Sequence, residues 1–125
     1  MATIEDKAEA NLVPDKRRRR RVLTSLTCNW GWDEAVPKHG KVTSLSLRGC
    51  FLQTTVYAER DKRLLIHLWL PSREWLKLRG AVIYAMEGIG FGVDFSAGSR
   101  LLGEEEERRL LDVIDYFEAN PPVKR

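Results

Sequence analysis

From Val22 onward, apolar and polar residues change places over short runs rich in β-branched and aromatic side chains, broken by Gly and Pro. A period of two is the signature of strands with one face turned inward. The pattern predicts strands over Val22 to Trp30, Lys41 to Leu45, Cys50 to Thr55, Arg63 to Leu70, Trp75 to Met86 and Gly90 to Phe95. Turn-forming clusters separate them: Gly31 to Gly40 with Pro37, Arg60 to Lys62, Pro71 with Ser72, and Glu87 with Gly88. Six short strands in so small a stretch predict a mainly β fold, a closed antiparallel six-stranded barrel rather than parallel βαβ units.

The period changes after Gly103. Glu104 to Glu107 are followed by Leu110, Leu111, Ile114 and Phe117, and then by Pro121 and Pro122. That spacing is one face of a helix, the acids suit its positive N-terminal end, and the prolines stop it. Such a C-terminal α-helix is expected to cover an open end of the barrel. Residues 1–16, with little apolar content and Pro14, read as a flexible arm, and 120–125 as a tail.

Composition narrows the class. A chain of 125 residues with 43% hydrophobic and 31% charged residues is one ordinary globular domain. The longest apolar runs, Leu64 to Leu70 and Ala81 to Met86, are too short to cross a bilayer, and the acidic Met1 to Ala10 is no secretory signal. Two cysteines without a CxxC pair, Cys28 and Cys50, argue against zinc and disulfides and fit the cytoplasm. Net charge is +3, and residues 1–21 hold all of it; the remainder carries 14 residues of each sign. On that ground a basic face beyond the arm is not expected, and nucleic acid is disfavoured as partner.

Two motifs carry candidate chemistry. Arg17 to Arg21 stand directly before the first strand. A planar guanidinium binds phosphate through paired hydrogen bonds and stacks on nucleobases, so five together form a dense anion site. The bland reading is a solvated basic arm, a targeting tag or a nonspecific RNA contact. Ser44-Leu45-Ser46-Leu47-Arg48-Gly49 then spans the end of one strand and the start of the next. Its hydroxyls sit at alternate positions, and Gly49 permits close backbone approach or positive φ; the bland reading is a bulge or turn.

Other features read as structural. Gly88 to Gly92 fits a hairpin turn, since no Lys-Ser/Thr or helix follows as a phosphate loop requires. His39, placed in a loop beside Lys38, and His67, within a strand, lack acids or thiols at ligand spacing. The four tryptophans, Trp30, Trp32, Trp69 and Trp75, are expected in the barrel or at its rim. No nucleophile, base and orienter can be assembled, so no enzyme is expected and no catalytic residue or metal ligand is assigned.

Taken together, the two motifs resemble the PilZ domain, a bacterial cyclic di-GMP receptor family. Its RxxxR stretch before the first strand fits Arg17 to Arg21, and its D/NxSxxG stretch fits at Ser46 and Gly49, with Ser44 where the family has Asp or Asn. Gly49 to Thr54, Gly80 to Val82 and Gly90 to Phe95 are similar to its later strands. The resemblance implies one PilZ-like domain over 17–119, a non-catalytic receptor for cyclic di-GMP that needs no cofactor. It implies a ligand set of Arg17, Arg18, Arg21, Ser44, Ser46 and Gly49. Arg17 and Arg21 would meet phosphate and base, Arg18 or a neighbour would assist, and the serines and Gly49 would line the guanine. Binding would order the arm and signal to a downstream protein. A PilZ-like adaptor that no longer binds nucleotide is the alternative.

Overall fold

Inward and outward residues alternate along the first strand, β1 (Val22–Gly31): Val22, Thr24, Leu26, Cys28 and Trp30 are buried, while Leu23, Ser25 and Thr27 face solvent. The same alternation builds β4 (Arg63–Trp69) and the first half of β5 (Trp75–Met86). With β2 (Lys38–Leu45), β3 (Gly49–Gln53) and β6 (Gly90–Asp94), these strands close a barrel in the order β1-β2-β3-β6-β5-β4, every pair antiparallel. The structure, a computed structural model, describes residues 20–95 and 102–122. The expected arm over 1–16, Arg17 and Arg18 lie outside the described residues.

The interior is filled by Val42, Leu45, Leu52, Ile66, Leu68, Val82, Phe91 and Val93, all close to fully buried. Trp30 sits among them, edge-on to Phe91 at 5.3 Å and to Trp32 at 5.1 Å between ring centroids. Register shifts at 23–26 of β1, 42–44 of β2 and 82–84 of β5 are bulges, which sharpen strand bending and help a small sheet close. Inside the first, the buried Thr24 hydroxyl donates to the Val42 carbonyl at 2.7 Å, so no polar atom is stranded there.

The helix α1 (Glu104–Ala119) presents Leu110, Val113, Ile114 and Phe117 to the barrel core. It rests on β1 and β5. Both strands run antiparallel to β4, so they begin at the same end of the barrel, and α1 covers that end as expected. Its N-terminus is closed by the Glu106 carboxylate, which accepts from the Gly103 N–H at 2.8 Å. No helix among the described residues is long and apolar enough to cross a membrane.

Three expectations need correction. β2 begins at Lys38, so the connection after β1 is only 32–37, and His39 is a strand residue rather than a loop residue. β3 runs from Gly49 to Gln53, one residue earlier at its start and two at its end. The third concerns charge. The six strands carry Lys38, Lys41, Arg63, Lys77 and Arg79 against a single acid, Asp94. Seven acids stand in α1 against Arg108 and Arg109. The neutral total therefore hides a basic barrel wall and an acidic helix.

Candidate functional site

The strand ends fix where the motif residues meet. Val22 opens β1 opposite Leu45, and Gly49 opens β3 opposite Asp94, which puts both motifs on the barrel end that α1 covers. There Arg21, the last residue before β1, donates from Nη1 to Ser44 Oγ at 2.6 Å, and its Nη2 lies 3.5 Å from Ser46 Oγ. Of the six residues singled out by sequence, the structure thus brings Arg21, Ser44, Ser46 and Gly49 to one corner. Arg17 and Arg18 are outside the described residues.

The two serines differ in kind. Ser46 is 3% exposed, and its hydroxyl oxygen accepts from the backbone N–H groups of Arg48 at 3.1 Å and Gly49 at 3.3 Å. With the Ser46 N–H donating to the Gly49 carbonyl at 2.9 Å, this makes a tight, internally bonded turn between β2 and β3. Ser44 is half-buried on β2 with its hydroxyl turned to Arg21. Ser46 shapes the corner, whereas Ser44 lies half-buried at its edge with its hydroxyl accepting from Arg21.

Gly49 is a packing residue. A Cβ built on it would stand 2.0 Å from the Val93 carbonyl oxygen, and its φ is not in the left-handed region. Of the two reasons for glycine raised by the sequence, close backbone approach is the one realised, between β3 and β6.

One residue missed by sequence is Arg20. It turns away from Arg21 and pairs with Asp115 at 2.7 Å and with Glu118, both on α1. Successive residues of an extended chain point to opposite sides, so one arginine run divides between two bodies. The signal was present in the helix, where Asp115 and Glu118 are three apart on one face.

Elsewhere the chemistry is quiet. Burial pushes the Cys28 thiol up to about 12 and raises Cys50 further still, the neighbouring Cys28 adding to the effect at Cys50. Both are free, buried thiols without nucleophilic character. No cluster of His, Cys, Asp and Glu fit to hold a metal occurs among the described residues. A groove of about 420 Å³ lies between the β4–β5 turn and α1, lined by Leu70, Pro71, Glu74, Arg109, Val113 and Tyr116 among others. It shares no residue with the Arg21 corner, and the Arg109–Glu74 ion pair occupies its polar wall.

No protein-family model matches the chain, and no curated protein matches its sequence. Solved structures do match in fold. The Bacillus subtilis inhibitor of motility, MotI/DgrA, superposes with a TM-score of 0.67 at 12% identity over 88% of this chain and 57% of that one. The PilZ domain of CeSA from a cellulose-synthesizing bacterium gives 0.60 at 16% identity, covering 79% of this chain and 98% of that domain. MrkH of K. pneumonia in its apo state gives 0.56 at 17% identity over 87% and 55%. The chain thus spans little more than half the length of the motility inhibitor and of MrkH, but nearly the whole of the isolated domain. A closed six-stranded barrel, its end covered by a C-terminal helix, and this match along a complete PilZ domain make one statement: the chain has the fold of a PilZ domain.

Proposed function

We propose that the chain is a non-catalytic, cytoplasmic receptor for cyclic di-GMP, and that Arg21 is its anchor. The observation that carries this reading is the exposed Arg21 guanidinium, held by Ser44 at the barrel corner at 2.6 Å. Ser44 holds Nη1 and Ser46 lies near Nη2, while the side chain as a whole stays exposed, so a phosphate oxygen or the acceptor edge of guanine can reach the guanidinium. Pre-positioning lowers the entropy that binding must overcome. Arg17 and Arg18 complete the clamp from the arm, Ser44 offers its hydroxyl to the guanine, and Ser46 and Gly49 keep the corner in shape.

Arg20 supplies the route outward. A nucleotide that draws the arm across the corner at Arg21 also loads the adjacent Arg20, and with it the contact to Asp115 and Glu118. A downstream protein reading α1 or the arm would then sense occupancy. This is a segment changing order on binding, a common route for switches.

Ser44, where the PilZ pattern has Asp or Asn, favours a second reading: an adaptor that has lost the nucleotide and acts through protein contacts alone. Calorimetry of the purified chain with cyclic di-GMP, beside GTP and single-stranded RNA at physiological salt, decides between them. Saturable heat with cyclic di-GMP alone, weakened at least tenfold by Arg21→Ala with the unliganded melting temperature unchanged, supports the receptor. A folded chain that takes up no cyclic di-GMP is the adaptor.

A further inference from the structure

The charges of the barrel wall and of the helix differ in whether they are already paired. On α1, Arg108 bonds Glu105 at 2.6 Å and lies 3.8 Å from Asp112, Arg20 takes Asp115 and Glu118, and Glu106 closes the helix N-terminus. On the wall, none of Lys41, Arg63, Lys77 and Arg79 has an ion pair among the described residues. Among the described residues no acid pairs with these wall cations, and charge complementary to the wall is left for another molecule to supply. A second copy is the weaker fit, because Glu105, Asp112, Asp115 and Glu118 of its helix are engaged with its own arginines in the same way.

These cations lie on one continuous face. His39, Asn29, His67 and Lys77 stand side by side in register across β2, β1, β4 and β5. His39 Nδ1 is 2.9 Å from Asn29 Oδ1. Burial, and then the adjacent Lys77 charge, hold the His67 imidazole below its ordinary range, so the middle of the row stays neutral at pH 7. In the next rows Leu65 faces Arg79, and Lys41 faces Thr27. At one end Trp69 and Trp75 pair across the β4–β5 ladder, rings 4.9 Å apart and tilted by 57°, exposed by 39% and 42%. Neutral side chains in the middle, cations at the sides and an aromatic knob at one edge resemble the anatomy of a protein interface.

We infer that the outer wall of β2, β1, β4 and β5 docks an acidic protein partner. That partner sets aliphatic side chains on the Trp69–Trp75 knob and carboxylates on Lys41, Lys77 and Arg79. Nucleic acid is the poorer fit, because the two indoles lean on each other instead of presenting parallel flat faces for successive bases, and the cations form a two-dimensional array rather than a backbone track. The barrel is closed, so strand addition is excluded and contact must be made through side chains. Four strands about 4.8 Å apart and six residue steps along them give a face of roughly 300–400 Å². A standard interface takes about 800 Å² per partner, so this docking is transient and salt-sensitive.

The proposal is independent of cyclic di-GMP and is tested without nucleotide, so its failure leaves the receptor reading untouched. The full chain, labelled with ¹⁵N, is titrated with a 16-residue helical peptide of Glu, Ala and Leu, and separately with oligo(dT) of equal charge. We expect the peptide to shift the amides of Leu65 to Trp69 and of Trp75 to Arg79. Lys77→Glu combined with Arg79→Glu should weaken it at least tenfold, and oligo(dT) should bind at least threefold less tightly. Lys41→Glu, on another strand, repeats the test should the double variant not fold. Equal or tighter binding of oligo(dT) would make the wall a nucleic-acid face and overturn the proposal. So would a wall that neither probe moves at about 1 mM, shifts confined to residues outside it, or affinity unaltered in the variants.

Discussion

Gly49→Ala tests whether the corner is held by packing or by the ligand it is proposed to receive. The added methyl would enter 2.0 Å from the Val93 carbonyl oxygen, 3.1 Å from the carbonyl carbon and 3.3 Å from the Asp94 Cα. All three are backbone atoms, so no side-chain rotation relieves the clash. To restore contact, β3 and β6 must part by about 1 Å where strands normally lie about 4.8 Å apart. A hydrogen bond near 2.9 Å stretched by that much is no longer one. The bonds at risk are those of the Gly49–Asp94 end of the ladder and the Phe95 N–H to Arg48 carbonyl bond at 2.8 Å. Two lost bonds at about 0.5–1.5 kcal/mol each, with overpacking of about 1–3 kcal/mol, give a destabilisation of about 2–6 kcal/mol. At about 4 °C per kcal/mol the melting temperature falls by roughly 8–24 °C. Urea denaturation reads it as a lower midpoint with the slope retained. Gly88→Ala is the comparison: nothing lies within 4 Å of its new methyl, but φ is +81°, so only left-handed strain of about 1–2 kcal/mol applies. A Gly49→Ala protein no less stable than Gly88→Ala would refute the packing account. Because the shift also moves Ser46, loss of nucleotide binding in this variant says nothing about ligand contact at Gly49.

Ser46→Ala removes the acceptor of two backbone N–H groups and should lower stability by about 1–3 kcal/mol, whereas Ser44→Ala should stay within about 0.5 kcal/mol; equal urea midpoints for the two variants would contradict their different burial. Arg20→Ala breaks ion pairs whose acidic partners are about half exposed, 49% and 52%, so equilibrium stability should change by only about 0–2 kcal/mol. Hydrogen exchange of the last turns of α1 should nevertheless quicken, and exchange indistinguishable from wild type would show that Arg20 does not hold the helix. Both thiols should resist a disulfide reagent at pH 8 and react as two equivalents once the chain is unfolded. With the folded Cys28 pKa raised from 9.0 to about 12 and Cys50 raised as well, the unfolded chain loses thiol protons first. The stabilising contribution is whole below about pH 9 and is lost as pH climbs toward 12, the decline that alkaline urea titrations should find.

Most strands were legible because alternation and burial coincide: along β1 the five inward positions are all small, aliphatic or aromatic except Thr24. β2 escaped at its start for a physical reason. Lys38-His39-Gly40 has no inward apolar side chain, because the Trp30 indole and Leu52 occupy that room, each 3.1 Å from where a Cβ of Gly40 would be. Core volume lent by a neighbouring strand leaves no mark in the local pattern. At the site, Ser44, Ser46 and Gly49 were legible as a motif, but their division into a half-buried serine and two buried scaffold residues depends on the turn and on β6, far away in sequence. The charge pattern misled because a sum over residues discards position. Acids gathered into α1 and bases spread over the strands cancel in number while standing on different surfaces.

The inward and outward alternation of β1, β4 and the first half of β5 has a further consequence, for divergence. A barrel written with period two carries two interleaved messages, one read by the core and one by whatever lies outside, and substitutions in the second leave the first intact. Structures at 12–17% identity to this chain still superpose along most of it. Exposed positions of this barrel such as Lys77 and Arg79 can therefore be rewritten without disturbing the core packing.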